Sequence, residues 1–397
     1  MGKIIAAIFY LCIALMSGNV AIAREAQGEV TLSPTRHGDD GRAIQTAIVS
    51  RCKDNGGKIT LAPGIYHLQS SITVLCALTI VGSGWRESPQ ENKMMGTWLS
   101  IEQDKLPSIS FVVGSKGSSI SDIAFIEPEQ RLPTRKDEWH PVVMPPAISI
   151  RNVGGRTYIH NIYMQAVDRG IESLQGGRTD IDGLFGQFFD NAISLDDEQD
   201  VSSIKNVHSW PYATVDTAVI DYQQSHLNTI IMGRVDSAFV DEVFTYAAHS
   251  GVWFVKGRNN AVATGIQIGK LQCDSVAHCI DIAASGVTVM VGEMRQFGQR
   301  GIASNQPFEN SDAIRVSGQA SILAGMLEAR MVDKAVLTLE NRHECSNLRI
   351  SSLFVDFSHS KAQNPVITRA SSCGSSDKFH EVLFGMRPAI ISQDLRH

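Results

Sequence analysis

The chain has 397 residues, of which 43% are apolar and 19% charged. That composition is globular rather than disordered, and the length suits either two domains or one elongated repeat fold. A formal net charge of −6 argues against a nucleic-acid binder, which would carry a basic stripe; acidic polysaccharides stay open, because a local basic patch can sit on an acidic protein.

At the N-terminus Lys3 precedes an apolar run, IIAAIFYLCIALM, and Ala21-Ile22-Ala23 follows. A basic start, an apolar middle and a small-x-small end predict a secretory signal peptide over 1–23, cleaved after Ala23. The run is short for a full membrane span, and no second apolar stretch is long enough to cross a bilayer. The mature chain, 24–397, is expected in the periplasm or the medium. Cysteine usage agrees: Cys12 leaves with the signal, and Cys52, Cys76, Cys273, Cys279, Cys345 and Cys373 remain. An even number in an oxidising compartment suggests disulfides. Proximity favours 52–76, 273–279 and 345–373, one of fifteen pairings. No Cys-x-x-Cys spacing points to a metal.

His37, read as a surface residue, precedes Asp39-Asp40-Gly41 and RAIQTAIVSRC. Either aspartate can cap the first turn of a helix over about 39–52, with Ile44, Ala47 and Ile48 on one face. The helical period then gives way to short β-rich runs: GGKITLAPGIYHL, LTIVGSG, SISFVV and AISI. Pro63-Gly64 is a good turn pair. DEWH (137–140), between Pro133 and Pro145-Pro146, reads as a long inserted loop whose Trp139 and His140 wall a groove.

From residue 157 an internal repeat emerges. TYIHNIYMQ (157–165) returns as TDIDGLFGQ (179–187), SSIKNVHSW (202–210) and, more faintly, SHLNTIIMG (225–233). Ile159, Ile181, Ile204 and Leu227 keep a period of 22–23 residues, as do Ile162, Leu184, Val207 and Ile230. DRGI (168–171) matches DNAI (190–193); HCIDI (278–282), GVTVMVGE (286–293) and DAIRVSG (312–318) look like further turns. A strand-rich repeat of this length predicts one solenoid coil, which buries its apolar face only by stacking on its neighbours. The leucine-rich-repeat signature, which shares the period, is missing.

The run DDGRAIQTAI, GGKITLAPGIYHL, LTIVGSG resembles the N-terminal start of the pectate-lyase-like superfamily. The specific match spans about 37–84, and the coil periodicity extends it loosely to about 360. The resemblance implies an all-β, single-domain, right-handed parallel β-helix: a capping helix over about 39–52, coils over about 57–360 and a C-terminal cap or tail over about 361–397. The superfamily includes polysaccharide lyases, hydrolases, epimerases and phage tailspikes, so fold is implied more strongly than chemistry. Its polygalacturonase and alginate-epimerase motifs are absent, so no catalytic residue carries over.

The site is therefore argued from the repeat. With Ile159 and Ile162 inward, strand alternation predicts three outward columns: His160, Asp182, Lys205, Asn228; Tyr163, Phe185, His208, Ile231; and Gln165, Gln187, Trp210, Gly233. Aromatic faces suit sugar rings, and polar neighbours fix hydroxyls. Lys205 or His208 would be the base or charge neutraliser of a β-eliminating lyase, with Asp182 orienting it. Asp196 and Asp197, with Asp168 and Asp190 one coil apart, form an alternative carboxylate set for glycoside hydrolysis. Arg169 and Arg178 are placed to pair with a uronate carboxylate or to form structural salt bridges. Calcium is a further use of the clustered acids, though no calcium-loop signature exists.

The sequence thus predicts an exported enzyme cleaving a polysaccharide, elimination being favoured because His and Lys stack beside Asp. The alternative is a non-catalytic glycan-binding or exopolysaccharide-assembly protein. A tailspike-like adhesin fits less well, since a cleavable signal is foreign to a phage part.

Overall fold

The computed structural model describes residues 24–26, 28–35, 38–87, 94–133, 139–301, 306–340, 346–356, 367–369 and 383–384. The chain begins its coils with a plug. Helix α1 (Asp40–Lys53) is capped by Asp39, whose carboxylate accepts the N–H groups of Gly41, Gln69 and Ser70. Asp40 accepts from Thr35 and His67, so two adjacent acids tie the helix to the first coil. The expected face, Ile44, Ala47 and Ile48, is buried against the open end of the core. Gly56 and Gly57, with φ of 103° and 136°, turn the chain out of the helix through backbone that only glycine adopts readily.

Beyond the plug the molecule is a right-handed parallel β-helix. Among the described residues, antiparallel strand pairs occur only at Arg24–Ala26 with Glu29–Leu32 and at Trp85–Arg86 with Met95–Ile101. Each coil presents three faces. On the first, Ile80, Ile120, Ile159, Ile181, Ile204, Val240, Ile268, Val291, Ala324 and Ile350 stand in register. On the second, the ladder runs from Ile123 through Ile162, Leu184, Val207, Val243, Leu271, Met294 and Leu327 to Leu353. The third runs from Ile72 through Ile171, Ile193, Ile230, Val252, Ile280 and Ile314 to Leu337. All are buried. Burial of each such side chain stabilises by about 1.5–3 kcal/mol.

Short strands follow from the corners. Between the first and second faces Asp122, Asn161, Gly183, Asn206 and Glu242 share one register position and all have positive φ. Asn and Asp tolerate this left-handed conformation better than most residues. Ala166, Ala247, Ser275 and Met331 make the corner into the third face, with φ between 50° and 57°.

The structure corrects the fourth repeat. Ile204 and Val207 are followed in their ladders by Val240 and Val243, because residues 210–227 leave the coil and form helix α2 (Thr217–His226). Ile230 belongs to the third ladder, between Ile193 and Val252. Asn228, Ile231 and Gly233 therefore drop out of the outward columns: Asp241 follows Lys205, and Phe244 follows His208.

Two disulfides, Cys52–Cys76 and Cys273–Cys279, match the expected pairing. The proposed 345–373 pair, His37, the signal segment 1–23 and most of the tail lie outside the described residues. No helix among the described residues is long and apolar enough to cross a membrane.

Candidate functional site

The second face carries the outward column Ala124, Tyr163, Phe185, His208, Phe244. Trp85, on the short ribbon beside it, stacks on Tyr163 with centroids 4.8 Å apart and donates its indole N–H to Asn161 O. Tyr163 is fully buried beneath it, so the ring that reaches the surface there is the half-buried Trp85. His208 stacks on Phe244 at 4.8 Å, and Trp210 packs on Tyr246 at 4.7 Å. Tyr212, from the segment leading into α2, places its hydroxyl 2.6 Å from His208 Nδ1. Burial lowers the His208 pKa, opposed by the charge of Glu87. Burial, aided by Glu87, pushes the Tyr212 phenol up to about 12.

A bend separates this strip from its expected partners. His160, Asp182 and Lys205 stack in register as anticipated, but on the first face, across the Asn161–Gly183–Asn206 corner from His208. Asp182 accepts from Asn206 Nδ2 at 2.5 Å. Lys205 is exposed and makes no ion pair among the described residues. The lysine, histidine and aspartate proposed for elimination are thus divided between two faces.

The third outward column is also corrected. Gln165 and Gln187 are buried. Gln165 receives the Tyr163 hydroxyl at 3.3 Å. Gln187 accepts the N–H groups of Ala213 and Thr214 and donates to Thr214 O and Gln223. It pins the inserted segment to the coil. Only Trp210 of this column is exposed.

The four carboxylates likewise separate into two groups. Asp196 accepts N–H groups from Asp197, Arg234 and Arg258. Asp197 pairs with Arg234 and Gln175, which hold its carboxyl below the usual range. Through these contacts both tie a corner of the coil together. Arg178 is engaged by Asp200, at a cleft of about 630 Å³ lined also by Lys116 and Arg156, away from the aromatic strip. Arg169 donates to Met144 O at 2.7 Å.

Asp168 and Asp190 form the second group. They precede Arg169 and Asn191, which pair on neighbouring coils. Asp168 is buried, and its Oδ2 receives the Met144 N–H at 2.9 Å. Burial, reinforced by the charge of Asp190, raises its pKa to about 6 against the Met144 hydrogen bond. Asp190 is exposed. Behind Asp168, Glu127 accepts the Asp168 N–H at 2.9 Å and the Gln130 amide at 2.7 Å. Burial raises Glu127 to about 8.

Aromatic side chains wall this pair. Trp139, from the inserted loop, packs edge-on to Phe189 at 4.8 Å and to Tyr222 of α2 at 5.7 Å. His140 lies edge-on to Tyr222, and His226 stacks on it at 4.1 Å. Burial and then the charges of Asp168 and Asp190 raise the Tyr222 phenol. Both insertions thus converge on Asp168 and Asp190.

Trp85, Glu87, Glu127, Tyr212, Tyr222 and Phe244 were not legible as site residues. They lie outside the clearest repeats, on a ribbon, on inserted segments or one coil beyond the mis-registered repeat. The aromatic richness of HSWPYA (208–213) was the one available signal.

No family model and no curated protein matches the chain. Among solved structures, the chain is similar to the catalytic domain of a GH87 alpha-1,3-glucanase, at 11% identity over 94% of this chain and 70% of that one, with a TM-score of 0.44. It is similar to DFA-IIIase from Arthrobacter chlorophenolicus A6, at 12% identity over 87% and 84%, with a TM-score of 0.39. It is also similar to the A-module of mannuronan C-5 epimerase AlgE4 from Azotobacter vinelandii, at 9% identity over 84% and 96%, with a TM-score of 0.35.

Proposed function

We propose that the chain is an exported enzyme that hydrolyses a polysaccharide at Asp168 and Asp190, with the aromatic strip holding the glycan. The observation that carries this reading is the buried Asp168 carboxyl, raised to about 6 beside the exposed Asp190 on the next coil. Two carboxylates in such unlike surroundings are suited to unlike tasks. Asp168 would donate its proton to the glycosidic oxygen as the bond to the anomeric carbon breaks. Asp168 and Asp190 stand on neighbouring coils, beside a register shift between Val167 and Arg169, and the pair is read as a retaining one, whose carboxyls lie about 5–5.5 Å apart. Asp190 would then attack the anomeric carbon. Water, deprotonated by Asp168, would release the sugar from the resulting ester. The signal-like N-terminus and the two disulfides support export.

The test is release of reducing ends from a polysaccharide panel, with product anomers followed by NMR. Asp168→Asn should lower kcat by about 10²–10⁴-fold. Wild-type turnover should fall as pH rises through about 6, because the acid must carry its proton. Undiminished turnover in both Asp168→Asn and Asp190→Asn would sink the proposal. The 2.6 Å contact between His208 and Tyr212 favours a second reading, proton abstraction and β-elimination at the strip. New ultraviolet absorbance accompanying the new ends would establish it. Binding without turnover would favour the non-catalytic alternative.

A further inference from the structure

The aromatic strip differs from the rest of the surface in its charge as well as its rings. Tyr163, Phe185, His208 and Phe244 occupy four successive coils, a span of about 14 Å at 4.8 Å per coil. Trp85 and Trp210 extend the surface sideways through ring contacts to Phe185 at 5.5 Å and Phe244 at 5.9 Å. The charge felt across it is that of Glu87, which acts on Tyr163, His208 and Tyr212 alike. At the far side of the α2 segment stand Asp168 and Asp190.

The nearby cations point elsewhere. Arg86 neighbours Trp85, but strand alternation turns it to the other side of the ribbon, where its guanidinium lies 3.7 Å from Met95 Sδ. Lys205 belongs to the first face, beyond the Asn206 corner. Arg295 lies in the same column two coils past Phe244 and is held by Glu293 and Glu328. Among the described residues the strip therefore presents rings, a neutralisable imidazole and a carboxylate, with no uncompensated cation. Beside Asp168 stands Arg169, its guanidinium 4.0 Å from the Asp168 carboxylate and donating to Met144 O. A uronate or sulfated chain laid along the strip itself would bring its anions towards Glu87 without a counter-charge, an arrangement that costs binding energy. An uncharged sugar chain needs only ring stacking and hydroxyl hydrogen bonds.

We infer that the polymer recognised by this strip is a neutral glycan, not a polyuronate or a sulfated one. This rests on the proposal that the strip and the Asp168–Asp190 pair form one polysaccharide site. It also opposes β-elimination, which needs a substrate carboxyl beside the abstracted proton.

The experiment measures binding separately from cleavage. The full mature chain carrying Asp168→Asn and Asp190→Asn is titrated with xylan, laminarin, dextran, polygalacturonate and alginate at low and moderate salt. At least one neutral polymer should bind, with an affinity unchanged by salt, and more tightly than either acidic polymer. Trp85→Ala and Phe244→Leu should each weaken it about tenfold, while Arg295→Ala leaves it unchanged. Phe244→Leu keeps the apolar volume, so it reads ring loss even where Trp85→Ala folds poorly. Tighter, salt-sensitive binding of an acidic polymer would overturn the inference. So would binding to none of the five, or neutral binding indifferent to both ring variants. Neutral binding with no cleavage by the wild type would sink the hydrolytic proposal and leave this inference standing.

Discussion

The outward column of the second face reads Tyr163, Phe185, His208, Phe244 in the N-terminal coils and Gln272, Arg295, Glu328, Phe354 in the C-terminal ones. Inside, nothing changes: Ile162, Leu184 and Val207 hand over to Leu271, Met294 and Leu327 in the same ladder. The insertions differ as the column does. The loop bearing Trp139 and the segment carrying α2 both leave the N-terminal coils and fold over them. One scaffold has been kept while one stretch of its surface has been elaborated, which is how function is grafted onto a fold.

The largest expected effect tests whether chemistry is confined to the elaborated half. Asp190→Asn should lower kcat by about 10²–10⁴-fold, whereas Glu328→Gln, on the plain half, should leave turnover unchanged. Equal losses would erase the distinction. Next comes the shared interior. Leu184→Ala and Leu327→Ala should each cost about 2–5 kcal/mol in denaturant melts, because both side chains are fully buried in one ladder. A small cost at Leu327 beside a large one at Leu184 would mean that the halves differ in core as well as surface.

A smaller effect concerns pH. Glu127 lies beneath the elaborated half with its carboxyl raised to about 8 by burial. Below about pH 4.5 the folded and unfolded chains both hold this proton. Between about 4.5 and 8 the unfolded chain releases it and the folded chain keeps it, so stability falls as pH rises and levels off above 8. The drop should be on the order of a few kcal/mol. Glu127→Gln, whose amide oxygen can still accept the Asp168 N–H, should flatten it in denaturation curves at pH 5 and 8.5. An unchanged slope would assign it to other groups.

The sequence made the interior far more legible than the site. Apolar residues at a fixed period must face inward in every coil, so Ile159, Ile181 and Ile204 announced their ladder. The capping helix was equally plain, because Asp39 and the Ile44, Ala47, Ile48 face are local features. Legibility failed where the chain left the coil. Leu227 and Ile230 imitate the spacing of Ile204 and Val207, yet α2 carries them to a different face. A second difficulty is separate from that one: Lys205 and His208, three residues apart in one repeat, stand on different faces across a bend that only left-handed backbone at Asn206 reveals. Asp168 was singled out by its repeat position. Its burial, and Glu127 behind it, depend on a loop whose path no periodicity encodes.

The smallest effect lies in the corners, where each half holds a non-glycine residue in the left-handed region, Asn161 between the first and second faces and Met331 at the turn into the third. Asn161 in the N-terminal half has φ of 48° and donates Nδ2–H to Asp122 at 2.7 Å. Met331 in the C-terminal half has φ of 52° and no side-chain group that compensates locally. A left-handed conformation costs most side chains roughly 1–2 kcal/mol, less for Asn, while glycine adds an entropic cost of about 0.5–1 kcal/mol. Met331→Gly should therefore stabilise the chain by up to about 1 kcal/mol. Asn161→Gly should destabilise it by a few tenths to about 1 kcal/mol, since it relieves less strain and removes a hydrogen bond. Thermal melts of the two variants should shift in opposite directions. Shifts of the same sign would mean that the methionine corner is held by packing as firmly as the asparagine corner is by its side chain, and the two halves would then differ only in the surface they present.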